Sequence, residues 1–230
     1  MAQYVIVGGT KGIGLALSLK LAEQNQVLVL SRQRDELPEH ANIQFETFDA
    51  LQNDIPTLPS VIDGLVYCPG SINLMPFHRI KPEQFIEELN LNLIGAIKVI
   101  QAALSGLKQA KGAVVLFSTV AVQTGMPFHA SISAAKGAVE GLTRSLAAEY
   151  AANGIRFNAI APSLTQTSLA EKLLSSEDKQ AAASKRHPIG RYGQPNDVAS
   201  LAELLLSENG SWITGQVFHV DGGMSSIKLL

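Results

Sequence analysis

At 230 residues, with 46% hydrophobic and 17% charged side chains, the chain can build one domain with a sizeable core and is too apolar for a disordered segment. A formal net charge of -2, with no block of Lys or Arg, excludes nucleic acid and anionic membrane as main partners. The single cysteine, Cys68, excludes an intramolecular disulfide and fits a reducing, cytoplasmic setting.

Tyr4-Val5-Ile6-Val7 is a short apolar run closed by Gly8 and Gly9, the pattern of a strand buried on both faces. It lacks a basic lead and is too short to cross a bilayer, so neither a signal peptide nor a membrane span is expected. Ile13 to Ala22 carries helical periodicity, and Val27-Leu28-Val29-Leu30 and Ile43 to Phe48 read as the next two strands. Beyond the Pro56–Pro59 stretch come a strand at Gly64-Leu65-Val66-Tyr67, one long helix from about Pro82 to Leu107, and a strand at Val114-Val115-Leu116-Phe117. Ala135, Ala138, Val139, Leu142 and Leu146 share one helix face. Ile155–Ile160 and Val217–Val220 are the last strands, and the closing Ile227-Lys228-Leu229-Leu230 is too short to span anything. Strand and helix alternate at least six times with almost no hairpin signals. The order predicts a Rossmann-type, doubly wound α/β fold: a mostly parallel sheet in a single domain, residues 1–230. The polar stretch 163–191 reads either as a flap over a site or as a surface insertion.

Gly8, Gly12 and Gly14 stand between the first strand and the first helix. Glycine there permits a tight turn and lets the backbone approach a pyrophosphate, while the helix start offers unpaired N–H groups and a favourable dipole. The second strand ends Leu30-Ser31-Arg32 with no carboxylate to accept ribose hydroxyls. Arg32 with Lys11, and Ser31 as a donor, suit a dianionic 2′-phosphate, so NADP(H) is expected over NAD(H); the alternative is two solvated surface charges. Asp49 serves either the adenine edge or the strand end as a cap. No metal site is expected.

Separated segments in this order resemble the short-chain dehydrogenase/reductase family over nearly the whole chain. They are Gly8-x-x-x-Gly12-Ile13-Gly14, Asp63-Gly64-Leu65-Val66 leading to Gly70, Asn92-Leu93-Ile94-Gly95, Ser118-Thr119, Lys136, and Asn158-Ala159-Ile160-Ala161-Pro162. Pro188 to Gly193, Trp212 to Gln216 and Asp221-Gly222-Gly223 complete the set. The general likeness is to the bacterial ketoacyl-reductase-like branch. The resemblance implies that Thr10, Ile13, Ala50, Gly70, Pro162 and Thr167 join the glycine loop against the cofactor. It implies that Lys136 contacts the nicotinamide ribose and that Asn92 helps hold a water near that lysine. Cys68 is then a small apolar filler rather than a nucleophile. Gly137 and Gly141 leave a smooth helix face which in the family packs on its twin, implying a homodimer or homotetramer.

The family active site reads Tyr-x-x-x-Lys, and four residues before Lys136 stands Ile132, which has no proton to give. Thr119, with Ser118 adjacent, occupies the substrate-binding serine position. A related enoyl-reductase branch carries its tyrosine seven residues before the lysine, where this chain has His129. A neutral His129 at a helix start, with Ser118 or Thr119, replaces the tyrosine as hydrogen-bond donor, or else it only borders the helix. Ser131 and Ser133 point elsewhere. Three functions remain open. One is an NADPH-dependent reductase of a small, partly hydrophobic carbonyl or activated alkene, with Leu164, Leu169, Leu173 and Leu174 facing the substrate. The second is a catalytically degenerate NADPH-binding subunit or regulator partnering an active homologue. The third is a lyase or isomerase using Lys136 and His129 without net redox.

Overall fold

The structure, a computed structural model, describes residues 1–52 and 54–228; Leu229 and Leu230 of the closing apolar tail lie outside the described residues. In chain order the elements begin β1 (Gln3–Val7), α1 (Gly12–Ala22), β2 (Gln26–Ser31), β3 (Ile43–Thr47), β4 (Gly64–Tyr67) and α2 (Pro82–Leu89). Then come α3 (Gly95–Ala110), β5 (Ala113–Phe117), α4 (Ala121–Thr124), α5 (Ala130–Tyr150), β6 (Arg156–Pro162), α6 (Glu177–Arg186), α7 (Pro195–Leu206) and β7 (Val217–Val220). The seven strands form one parallel sheet in the order β3-β2-β1-β4-β5-β6-β7.

Strands without alternation bury both faces, and the two faces make two cores. Val5, Val7, Leu28, Leu65 and Val114 pack with α3 and α5, whereas Tyr4, Ile6, Val29, Val66 and Val115 pack with α1 and α7. The sheet is thus covered on both sides, as a doubly wound fold requires. Sequence order reverses between β1 and β4, which opens a crevice at their carboxyl ends. The glycine loop, Asp49–Ala50, Cys68–Gly70, Ser118–Thr119 and Pro162 all follow carboxyl ends of strands, which places them at that crevice.

The predicted long helix from Pro82 is continuous to Ala110 but not uniform. Asn90–Ile94 forms a π turn between α2 and α3. A π turn breaks the regular i→i−4 ladder, so some carbonyls need other donors. The Asn92 side chain donates to the Glu88 carbonyl at 2.9 Å, and the Tyr67 hydroxyl donates to the Leu91 carbonyl at 2.6 Å. The run Pro82–Ala110 is long and apolar enough to cross a membrane by length and composition. Its Ala96, Val99, Ile100, Ala103 and Leu107 pack against the sheet, as a core helix does.

The polar stretch 163–191 is ordered by local devices. Ser168–Leu173 is 3₁₀ and α6 follows, its Ser176 hydroxyl capping the Lys179 N–H at 3.3 Å. Ala170, Leu174 and Ala183 form a small cluster with Leu164 and Tyr192 packed against it. Leu174 therefore faces that cluster rather than a substrate, a correction to the four-leucine expectation.

Candidate active site

The glycine loop works through contact distances. Gly8 has φ +76, and a Cβ on Gly14 would lie 2.2 Å from the Gly8 carbonyl oxygen. Only glycine lets the two arms of the turn approach so closely. The Ser18 hydroxyl sits between the Gly9 and Gly14 carbonyls, at 3.1 and 2.8 Å, and holds the turn shut. No acidic residue occupies the first turn of α1, so its N–H groups and positive dipole end stay available to an anion.

At the adenosine end the structure corrects the sequence reading. Although β2 ends without a carboxylate, the loop beyond it turns through Asp35, at φ 47, back to the glycine loop. Asp35 pairs with Lys11 at 3.0 Å and accepts from the Thr10 hydroxyl at 3.2 Å, while Thr10 and Ser31 share a hydrogen bond of 3.1 Å. Lys11 is therefore not an uncommitted cation. Arg32 is exposed and lines the same cavity. Asp49 accepts from the Leu51 N–H at 3.0 Å, so it caps the turn after β3 while also facing the cavity beside Ala50.

One cavity of about 940 Å³ joins this end to the other candidate residues, among them Cys68, Gly70, Ser118, Thr119, His129, Ile132, Lys136, Pro162 and Thr167. Asn92 adjoins it behind Gly70. Ile132 and Lys136 lie one turn apart on α5, 5% and 7% exposed. Burial pulls the Lys136 ammonium from 10.5 down to about 8, opposed by the charge of Glu88 and by Cys68. Burial pushes the Cys68 thiol up to about 12, which disfavours the thiolate. A Cβ on Gly70 would lie 3.3 Å from Asn92 Oδ1 and 3.6 Å from Lys136 Nζ. Asn92 Oδ1 is itself buried without a hydrogen-bond donor. An unsatisfied acceptor and a buried ammonium thus flank one small cradle, which suits the hydroxyl-rich ribose of a dinucleotide.

Two candidates behave differently from expectation. Ser118 donates to Glu140 at 2.7 Å, and Glu140 also meets Arg144 at 3.3 Å, so the Ser118 hydroxyl is committed away from any substrate. Thr119 remains half-exposed in the cavity, its oxygen accepting from the Ala121 N–H at 3.3 Å. His129 begins α5 as expected, but its Nδ1 lies 2.7 Å from the Pro127 carbonyl, which can only accept. Nδ1 therefore carries the hydrogen, and in the neutral ring Nε2 is an acceptor. The expectation of a neutral His129 donating to an oxyanion fails on this tautomer; only the imidazolium donates. Ser131 and Ser133 are turned away from partners, each hydroxyl buried without a hydrogen bond.

The sequence reading missed Asp35, Glu88, Glu140 and His187. Glu88 and Asn92, and Lys136 and Glu140, each stand at i,i+4, a spacing that marks a shared helix face. His187 is 3% exposed, with Nδ1 2.7 Å from the Ala183 carbonyl and Nε2 2.9 Å from the Ser163 hydroxyl, tying the 163–191 stretch to the end of β6. Nothing local marks Asp35, because its partners are remote in sequence.

Residues 7–225 match the family described as Enoyl-(Acyl carrier protein) reductase. The chain is 32% identical to 2-(S)-hydroxypropyl-CoM dehydrogenase 3 of Xanthobacter autotrophicus, covering 96% of each chain. It is 39% identical over 171 residues to the inactive 2-(S)-hydroxypropyl-CoM dehydrogenase 2 of the same organism, covering 72% of this chain and 74% of that one. Among solved structures it resembles ElxO with NADP bound, with 29% identity, a TM-score of 0.87, and coverage of 98% of this chain and 99% of that one. With the strand order, the glycine turn and the cavity that ends at Lys136, these likenesses make the chain a member of the short-chain dehydrogenase/reductase family.

Proposed function

We propose that the chain is an NADP(H)-dependent oxidoreductase that reduces a small, partly hydrophobic carbonyl or activated alkene with a proton donor other than tyrosine. The carrying observation is the single cavity that runs from the glycine loop and Arg32 to the buried Lys136. Bound there, a nicotinamide dinucleotide supplies the hydride. The α1 N-terminus and glycine turn would hold its pyrophosphate, Arg32 and Ser31 would face a 2′-phosphate, and Asn92 and Lys136 would receive the ribose. Leu164, Leu169, Leu173, Met126 and Met224 give the open side of the cavity its apolar lining, which favours a substrate with hydrocarbon bulk. The NADP held by ElxO supports this cofactor over NAD(H). The cytoplasm is the proposed location. Self-association through α5 is also proposed, because a Cβ on Gly141 would meet nothing within 4 Å and one on Gly137 only Val122 at 3.8 Å.

A second reading has its own support. Ile132 stands one turn before Lys136 without a titratable atom, and one relative is named inactive, so a cofactor-binding subunit without turnover is the competing function. Stopped-flow NADPH fluorescence against a panel of ketones and enones separates the two. Quenching on binding followed by oxidation supports the reductase; binding with no oxidation across the panel supports the silent subunit. No binding of NADPH or NADH at low salt rejects both.

A further inference from the structure

We propose that Lys136 itself gives the proton to the substrate oxygen, and that the buried carboxylate of Glu88 keeps it charged to do so. The proposal rests on the reductase reading and names the donor that reading leaves open.

Glu88 is 5% exposed, an unusual place for a carboxylate without a purpose for its charge. Its Oε2 accepts from the Asn92 amide at 3.0 Å and, closely, from the Ser71 hydroxyl. Both donors aim their hydrogens at this one carboxylate oxygen. Glu88 lies in the last turn of α2, and Asn92 in the π turn that follows. Asn92 is turned so that one amide nitrogen serves both the Glu88 carbonyl and the Glu88 carboxylate, while its oxygen looks towards Gly70 and the lysine. Lys136 makes no hydrogen bond among the described residues, and a buried ammonium without an anion nearby tends to lose its proton.

The charged and titratable groups around Lys136 are few. Glu88 approaches from α2, Cys68 from the end of β4, and His129 from the cavity rim. Glu140, one turn further along α5, is held by Ser118 and Arg144. Glu88, joined through Asn92 to the Gly70 cradle that Lys136 shares, is therefore the carboxylate placed to oppose desolvation of the ammonium.

The step balances without another reagent. As hydride from a reduced nicotinamide reaches the carbonyl carbon, the π bond breaks towards oxygen, and the oxygen takes a proton from the Lys136 ammonium. A C–H and an O–H bond form, the carbonyl is reduced to an alcohol, the nicotinamide is oxidised, and Lys136 is left as the amine. A solvent proton entering past Ser71, which lines the cavity, restores the ammonium beside Glu88. Lys136 touches the reacting oxygen and is the catalytic residue; Glu88 acts through it and is a positioning residue.

The test uses the full chain labelled with carbon-13 at the lysine Cε, with the Lys136 signal identified by its loss in Lys136→Met. In Glu88→Gln the Lys136 midpoint is expected to fall by about one pH unit, and in Glu88→Asp, which keeps the charge, by less. The rate of carbonyl reduction, which needs the ammonium, is expected to fall with rising pH along a limb that moves down with the same midpoint. An unmoved lysine midpoint in Glu88→Gln overturns the pairing. A midpoint that moves while the kinetic limb stays overturns Lys136 as donor. Absence of any turnover removes the reductase reading and the donor role together, and the lysine titration, read without substrate, still shows whether Glu88 governs the charge.

Discussion

A lysine meets a carboxylate at each end of the cavity, and burial makes them different devices. Lys11 and Asp35 touch at 3.0 Å with side chains 44% and 19% exposed, so water and salt screen them and a ligand phosphate can take the carboxylate's place. Lys136 and Glu88 are both under a tenth exposed and not in direct contact, yet the charge of one acts on the protonation of the other. The adenosine end also relies on backbone, through the turn of Gly8 and Gly14 and the start of α1. The far end relies on side chains that three elements bring together. Under the proposed function, affinity is built from geometry that tolerates exchange of surface charges, and chemistry from buried groups that do not.

The contrast is most exposed to failure at the backbone. Gly14→Ala would force a methyl against the Gly8 carbonyl, and the turn must open. A loss of about 3 kcal/mol in stability, with loss of NADPH binding, is expected by thermal denaturation and fluorescence titration. An alanine variant that binds normally would show that the turn does not need its close approach.

The buried pair sharpens the comparison through pH. The Lys136 pKa falls from 10.5 to about 8 on folding, so between those values the native state binds fewer protons than the unfolded chain. Stability contributed at this site therefore rises from pH 8 to 10.5, and the full cost of the buried ammonium is felt below pH 8. Cys68 acts oppositely, since its thiol stays protonated in the native state up to about 12 and the unfolded thiol ionises earlier. Comparing wild type with Lys136→Met cancels the cysteine. Urea unfolding at pH 8 and pH 10 is expected to show a change in wild type that is more favourable than the variant's by on the order of 2 kcal/mol. Equal pH dependence in both would place the lysine in a far wetter site.

The exposed pair gives the smallest effect. Asp35→Asn frees Lys11 for a 2′-phosphate and is expected to tighten NADPH by a few-fold, to leave NADH unchanged, and to alter stability by less than about 0.5 kcal/mol. If NADH weakens instead, Asp35 accepts a ribose hydroxyl and the chain prefers the unphosphorylated cofactor.

The sequence alone determined the parallel doubly wound fold, because continuous apolar runs alternating with amphipathic helices leave few ways to cover a sheet. It also located the tight glycine turn, since Gly8, Gly12 and Gly14 act through backbone that neighbours in the chain supply, and its motifs singled out Lys136 and Asn92, which the fold brings to one cradle at Gly70. Tertiary structure decided what depends on residues far apart meeting. Asp35 returned to Lys11, Ser118 was taken by Glu140, Pro127 fixed the His129 tautomer, and Glu88 was joined to Ser71 and Asn92. Periodicity predicts which face of an element is buried, whereas the charge and hydrogen-bond state of a side chain follow from the partner that packing brings to it.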